Sequence, residues 1–149
     1  MNMQHELPAI TLATNDYNRL LCTAMIRQTN NLPAAEFLLR ELRRAKVCHP
    51  GELPEDVVST NCRVIYRLND EPGSRAHLLV HPEDLIWSGA EVSVTTPLGT
   101  ALLGLRVGDS MSFIEVDGTR HVVSVEGIGL RFLDDGSTVT RTPGSVIWI

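Results

Sequence analysis

Thr96-Pro97-Leu98-Gly99-Thr100-Ala101-Leu102-Leu103-Gly104-Leu105-Arg106-Val107-Gly108-Asp109 packs three local signals into fourteen residues. Pro97 suits the first position of a helix, where a missing N–H costs nothing because that group has no intrahelical partner. Residues 100–103 continue a short helix, and Gly104 breaks it. Val107-Gly108-Asp109 then makes a tight turn. The stretch therefore predicts a strand end, a Pro-started helix and a glycine-broken return.

The flanking residues have a period of two. Upstream, Val64, Tyr66 and Leu68 alternate with Arg63, Ile65 and Arg67 across 62–68, as expected of a strand with one buried face. Residues 69–73 (Asn-Asp-Glu-Pro-Gly) form a turn, and 75–81 read as the returning strand. Residues 91–95 are another short strand. Downstream, 110–116 and 121–125 flank Asp117-Gly118, a strong hairpin signal. The expectation is a mostly antiparallel sheet of about five strands with one short helix against it.

The N-terminal third changes period. Tyr17, Leu20, Leu21, Ala24 and Met25 follow the spacing of one helix face, with Thr14, Asn15 and Asp16 as N-cap candidates. Asn30, Asn31, Leu32 and Pro33 break the pattern, and Pro33 suits a second helix start. Ala34, Phe37, Leu38, Leu42 and Ala45 form the next stripe, over 34–47, before His49-Pro50-Gly51 ends it. Two similar helices joined by a few residues pair antiparallel, each arm about 14 residues or ~21 Å long. The fold class is thus α+β: an N-terminal segment (1–13), a short antiparallel helical hairpin (14–50), a sheet-based domain (51–132) and a C-terminal tail (133–149). The tail closes on apolar Ser145-Val146-Ile147-Trp148-Ile149, which suits an extra strand or a docked terminus.

Composition narrows the function classes. With 149 residues, 43% hydrophobic and 21% charged, the chain is an ordinary globular protein rather than a disordered one. No apolar run approaches the ~20 residues that span a bilayer. Residues 1–13 contain Glu6 and lack both a basic start and a long apolar stretch, so they do not read as a signal peptide. Three cysteines without metal-binding spacing (Cys22, Cys48, Cys62) fit a reducing cytosol. Residues 1–50 carry six Lys/Arg against four Asp/Glu, and residues 51–149 carry seven against fourteen. An acidic sheet domain is a poor general nucleic-acid binder, so the expected partner is a protein, with the basic third near RNA or an acidic groove. No sequence-specific DNA binding and no membrane partner are expected.

The 96–109 stretch, following an N-terminal helical pair, resembles the Ser-Pro…Leu-(Leu/Ile)-Gly…Gly-Asp signature of the C-terminal domain in the GreA/GreB transcription elongation factors. Within that family the closer resemblance is to the branch called regulators of nucleoside diphosphate kinase (Rnk). It is carried by Glu41-Leu42-x-x-Ala45, Cys48-His49-Pro50, Leu53-Pro54-Glu55-Asp56-Val57-Val58-x-x-Asn61 and Thr100–Asp109, and covers residues 12–128. The resemblance implies an FKBP-like sheet domain that docks at the secondary channel of RNA polymerase, with the hairpin pointing inward. It implies a cytoplasmic monomer that competes with Gre factors, and an influence on nucleoside diphosphate kinase that no residue explains. Thr95, Thr96 and Pro97 align with the family's polymerase-docking loop, with two threonines where cleavage factors carry an acidic or amide group and a serine. The bland reading is that Pro97 only starts a helix.

Cleavage-stimulating relatives place acidic residues at the hairpin tip to help hold a catalytic Mg²⁺, which demands oxygen ligands. Here Asn30, Asn31, Leu32 and Pro33 offer no carboxylate, and Glu36 is the nearest. The arms are also several turns shorter than the family's cleavage-competent coiled coil. The expectation is a regulator that is not an enzyme, does not stimulate transcript cleavage, and needs no cofactor or metal.

Other residues have bland readings beside sharper ones. Arg40, Arg43, Arg44 and Lys46 form a basic patch, a candidate contact for RNA or polymerase, or simply a solvated helix end. His77 and His81 lie about 13 Å apart on one strand face, too far to share a metal. Glu55/Asp56, Glu83/Asp84 and Asp134/Asp135 read as solubilising surface. Gly127-x-Gly129 lacks the following helix of a dinucleotide site, and no nucleophile elbow appears. The rival functions are an FKBP-like prolyl isomerase or chaperone, against which the scattered aromatics speak, and a generic protein-interaction adaptor.

Overall fold

The computed structural model describes residues 7–30, 34–87 and 89–131, and shows an α+β fold with a helical N-terminal part. Strand β1 (Thr11–Ala13) runs directly into helix α1 (Thr14–Thr29). Helix α2 (Ala34–Arg44) is followed by strand β2 (Lys46–Cys48). A five-stranded sheet comprises β3 (Cys62–Leu68), β4 (Arg75–Val80), β5 (Glu91–Ser93), β6 (Ser110–Ile114) and β7 (Arg120–Arg131) in the order β5-β4-β3-β7-β6. Helix α3 (Pro97–Leu102) lies between β5 and β6 in the chain. All pairings in this sheet are antiparallel except β4 with β5. No helix among the described residues is long and apolar enough to cross a membrane.

The second helix stops three residues before the sequence predicts. Lys46, Val47 and Cys48 leave it to pair in parallel with Thr11, Leu12 and Ala13, and the Lys46 N–H donates to the Ile10 carbonyl at 2.9 Å. Ile10 and Leu12 are buried, so burying that N-terminal stretch outweighs one more helical turn. The predicted N-caps also differ: Ala13 is the α1 N-cap and makes no side-chain cap bond. Met25, predicted on the buried stripe, is exposed beside Ile26. The last strand is longer than predicted, running through Gly127 and Gly129 to Arg131 with register shifts against β3. The apolar tail, residues 145–149, lies outside the described residues.

One core joins the helical part to the sheet. Leu20 and Ala24 of α1 and Leu38 and Leu42 of α2 share a cluster with Val64, Tyr66, Leu102, Leu105, Phe113 and Val123. The C-terminal end of α1 meets the first turn of α2, where Gln28 Nε2 donates to Glu36 Oε2 at 3.1 Å.

Two polar contacts fix the helical part on the sheet. Asp16, in the first turn of α1, is buried and accepts from the Thr60 hydroxyl at 2.5 Å and the Thr60 N–H at 3.1 Å. His81 Nε2 stands 3.5 Å from the same carboxylate. His81 thus lies beyond the end of β4 and turns to α1, while His77 meets the Tyr66 hydroxyl at 2.9 Å; the two do not share the strand face expected of them. On the surface, Arg19 reaches Glu83 and Asp84, each at 3.1 Å. These carboxylates, expected to be merely solubilising, bridge α1 to the loop after β4.

Gly99 sets the tightest steric limit. A Cβ there would stand 2.1 Å from the Ser93 carbonyl oxygen, which is backbone and cannot move aside cheaply. Gly99→Ala should therefore lower stability by about 2–3 kcal/mol, read as the shift in a urea midpoint at unchanged slope. Burial raises the Asp16 pKa, but hydrogen bonds from His81 and Thr60 outweigh it and hold the carboxyl below its ordinary value of 3.8. A depressed carboxyl contributes stability above the unfolded-state value that is lost as pH falls through the lower folded-state value. Acid titration of the melting temperature should therefore show a steeper decline below about pH 4 for the wild type than for Asp16→Asn. Equal acid limbs would remove Asp16 from that role.

Candidate functional site

The turn from β5 into α3 is built by hydroxyl groups. Thr96, extended before the helix, accepts the Gly99 N–H at 3.0 Å through its Oγ1 and so caps α3. The Thr96 hydroxyl also lies 2.8 Å from the Ser93 carbonyl. Ser93 Oγ accepts the Thr95 N–H at 3.1 Å and contacts the Thr95 hydroxyl at 2.8 Å. Thr100, fully buried, donates to the Val94 carbonyl at 2.8 Å. The strand end is thus laced to the helix start, and the missing side chain of Gly99 permits their close approach.

This lacing sorts the three candidate docking residues. Thr95 is buried and spends its hydroxyl on Ser93. Thr96 is exposed and Pro97 half-buried, so these two, with half-buried Leu98, form the outward face of the turn. Ser93 and Thr100 position it and were not among the candidate site residues read from the sequence. Their signal was a run of hydroxyl residues around a Pro-started helix, where such side chains bond nearby backbone.

The four basic candidates do not share one environment. Arg40 is exposed and stacks on Phe37, its Cζ 5.4 Å from the ring centroid. Arg43 and Lys46 are also exposed. Arg44 turns inward: Nε and Nη2 donate to the two oxygens of Glu41 at 3.0 and 2.8 Å, and Nη1 donates to the Pro8 carbonyl at 2.6 Å. Glu41 is a buried carboxylate inside a helix, and this fork neutralises it. Arg44 thus ties α2 to the N-terminal stretch, a role that periodicity does not reveal.

At the far end of the helical part, Gln28, Thr29 and Asn30 are exposed; Asn31, Leu32 and Pro33 lie outside the described residues. Glu36, also exposed, is the carboxylate nearest this end and is held by Gln28. No group of three or more His, Cys, Asp or Glu among the described residues is placed to hold a metal. Cys22, Cys48 and Cys62 are free thiols, and burial pushes the Cys62 thiol pKa up, which disfavours the reactive thiolate.

The Leu-Leu-Gly segment has an equally physical basis. Gly104 adopts φ +80°, and a Cβ there would lie 2.7 Å from that of Ile10. Its N–H donates to the Val58 carbonyl at 2.9 Å, and its carbonyl accepts the Thr11 N–H at 3.2 Å. The Asp109 carboxylate accepts the Arg106 N–H at 3.0 Å, closing the turn that follows.

Comparison with known proteins matches the same stretch. Residues 53–128 fit the family described as "Transcription elongation factor, GreA/GreB, C-term". Over 103 residues the chain is 41% identical to the "Regulator of nucleoside diphosphate kinase" of Escherichia coli (strain K12), covering 68% of this chain and 76% of that relative. The Shigella flexneri protein of that name matches equally. Among solved structures, the "Prokaryotic transcription elongation factor GreA/GreB from Nitrosomonas europaea" aligns with a TM-score of 0.66 at 31% identity, covering 81% of this chain and 99% of that one. These relatives are named as regulators and elongation factors, not as enzymes. With the laced α3 turn inside the matched stretch and the helical part preceding it, the chain belongs to the GreA/GreB transcription elongation factor family.

Proposed function

We propose that this protein is a regulator of the Rnk type that binds RNA polymerase at the secondary channel and competes there with Gre factors, without stimulating transcript cleavage. In this reading residues 51–132 form an FKBP-like docking domain, and α1 and α2 form a helical hairpin that points into the channel. The protein acts as a monomer in the cytoplasm and not as an enzyme. Family membership supports the partner, and the outward Thr96–Pro97 turn supports the docking face.

The observation that carries the second half of the proposal is the end of the helical part. Gln28, Thr29 and Asn30 present amides and a hydroxyl, and the nearby Glu36 carboxylate is engaged by Gln28. A divalent cation such as Mg²⁺ needs oxygen ligands of high charge placed to within a few tenths of an ångström. Helix α1, of 16 residues, is about 24 Å long, a modest reach. Such an end fills space and excludes a competitor without recruiting a metal.

Three measurements test this reading. Co-purification with core RNA polymerase should fall when a Gre factor is added in excess; retention unchanged by the competitor would refute secondary-channel binding. Backtracked elongation complexes should release no additional cleaved RNA when the protein is added, and any stimulation would overturn the cleavage-silent assignment. Pro97→Glu should weaken polymerase binding by about tenfold or more, a loss of ~1.4 kcal/mol, with the melting temperature within a few degrees of the wild type. Unchanged affinity would move the docking face away from α3.

A further inference from the structure

Strand β6 is an edge of the five-stranded sheet, and β7 is its one neighbour among the described residues. Its bonding register follows from two contacts: Val125 N–H donates to the Asp109 carbonyl, and Glu115 N–H to the Thr119 carbonyl. Antiparallel bonding alternates along a strand. Met111 and Phe113 therefore bond β7, whereas Ser110, Ser112 and Ile114 aim their N–H and C=O groups away from it.

A groove of about 420 Å³ runs beside this free edge, between α2 and β6. Its apolar lining includes Leu7, Phe37, Phe113 and Ile114. Leu7 and Ile114 are 49% and 55% exposed, an arrangement that leaves apolar surface in water unless something covers it. Arg40 and Arg120 also line the groove, both exposed. Arg40 rests on Phe37, and neither guanidinium has a carboxylate partner among the described residues. Of the two lining carboxylates, Glu41 is neutralised by Arg44, and Glu36 is held by the uncharged Gln28 amide. The rim thus keeps a surplus of one positive charge.

We propose that this groove is a docking site for an extended segment of a partner protein, which adds a strand to β6 and carries apolar side chains with acidic flanks. Backbone bonds to Ser112 and Ile114 would supply affinity. Alternate apolar side chains would enter the groove, and the acidic residues would face Arg40 and Arg120, giving specificity. The groove contains none of Thr95, Thr96 and Pro97, so it is tested without polymerase and stands or falls apart from the function proposed above.

The test uses the full chain and two fluorescein-labelled, end-blocked peptides, Glu-Val-Ile-Val-Glu and Lys-Val-Ile-Val-Lys, titrated by fluorescence anisotropy. The acidic peptide should bind about tenfold or more tightly than the basic one, and the double variant Arg40→Glu/Arg120→Glu should reverse the preference. Ser112→Pro removes an outward N–H while leaving the β7 bonds in place. It should abolish binding at an unchanged circular dichroism spectrum. As a check that needs no variant, N-methylation of the peptide at alternate amides should abolish binding in one phase and spare it in the other. Equal affinity for the two peptides, no binding of either, or indifference to both Ser112→Pro and N-methylation would overturn the proposal. Binding seen only after residues 1–6 are removed would assign the groove to the chain's own N-terminal segment and likewise overturn it.

Discussion

The rest of the structure depends on the close approach at Gly104. Three stretches distant in sequence meet there: the N-terminal strand through Thr11, the connector before β3 through Val58, and the exit of α3 itself. The approach requires a residue with no side chain and a positive φ, which glycine adopts readily. Bonding Val58 and Thr11 to the same residue brings the strand that launches α1 against the segment that launches the sheet. The Asp16–Thr60–His81 contact then makes a second join between α1 and the segments that flank the sheet strands. Buried carboxylates are costly unless fully bonded, so this contact is specific in angle as well as position.

Much of this arrangement was legible in the chain. Alternation over 62–68 gave the right inward set, with Val64 and Tyr66 fully buried, because a sheet with one buried face leaves a strict period. The α3 start at Pro97 and the hairpin at Asp117-Gly118 were readable for the same local reason. Residues 46–48 were not. Their pairing partner lies 35 residues earlier in sequence, and a helix stripe that runs on to Ala45 has no local reason to stop at Arg44. The reach of the last strand was missed as well: it was expected over 121–125, yet β7 continues to Arg131, where Ile65 and Arg63 of the neighbouring strand lie across Gly127 and Gly129 and supply the missing side-chain cover.

The site was legible in outline and illegible in detail. Proximity to Pro97 identified the turn, but Thr95 and Thr96 looked equivalent in sequence and differ in burial and in what their hydroxyls bind. Arg44 looked like its neighbours Arg40 and Arg43, and the buried Glu41 and the Pro8 carbonyl, both bonded by Arg44, separate it from them. Composition shows that charges exist; which of them are already neutralised is decided by tertiary contacts. The same holds for Glu83 and Asp84, whose partner Arg19 is over sixty residues away.

The short parallel pair β1–β2 lies at both entry and exit of the helical part: the chain passes from Ala13 into α1 and returns from α2 to Lys46. A loop whose two ends are clasped can lengthen at its far end without disturbing its base. Seven residues added to each helix would extend the pair by about two turns, or ~10 Å, at the same facial phase. Reach is therefore a variable that evolution can tune separately from the grip of the sheet. The clasp turns one scaffold into a series of probes of different depth.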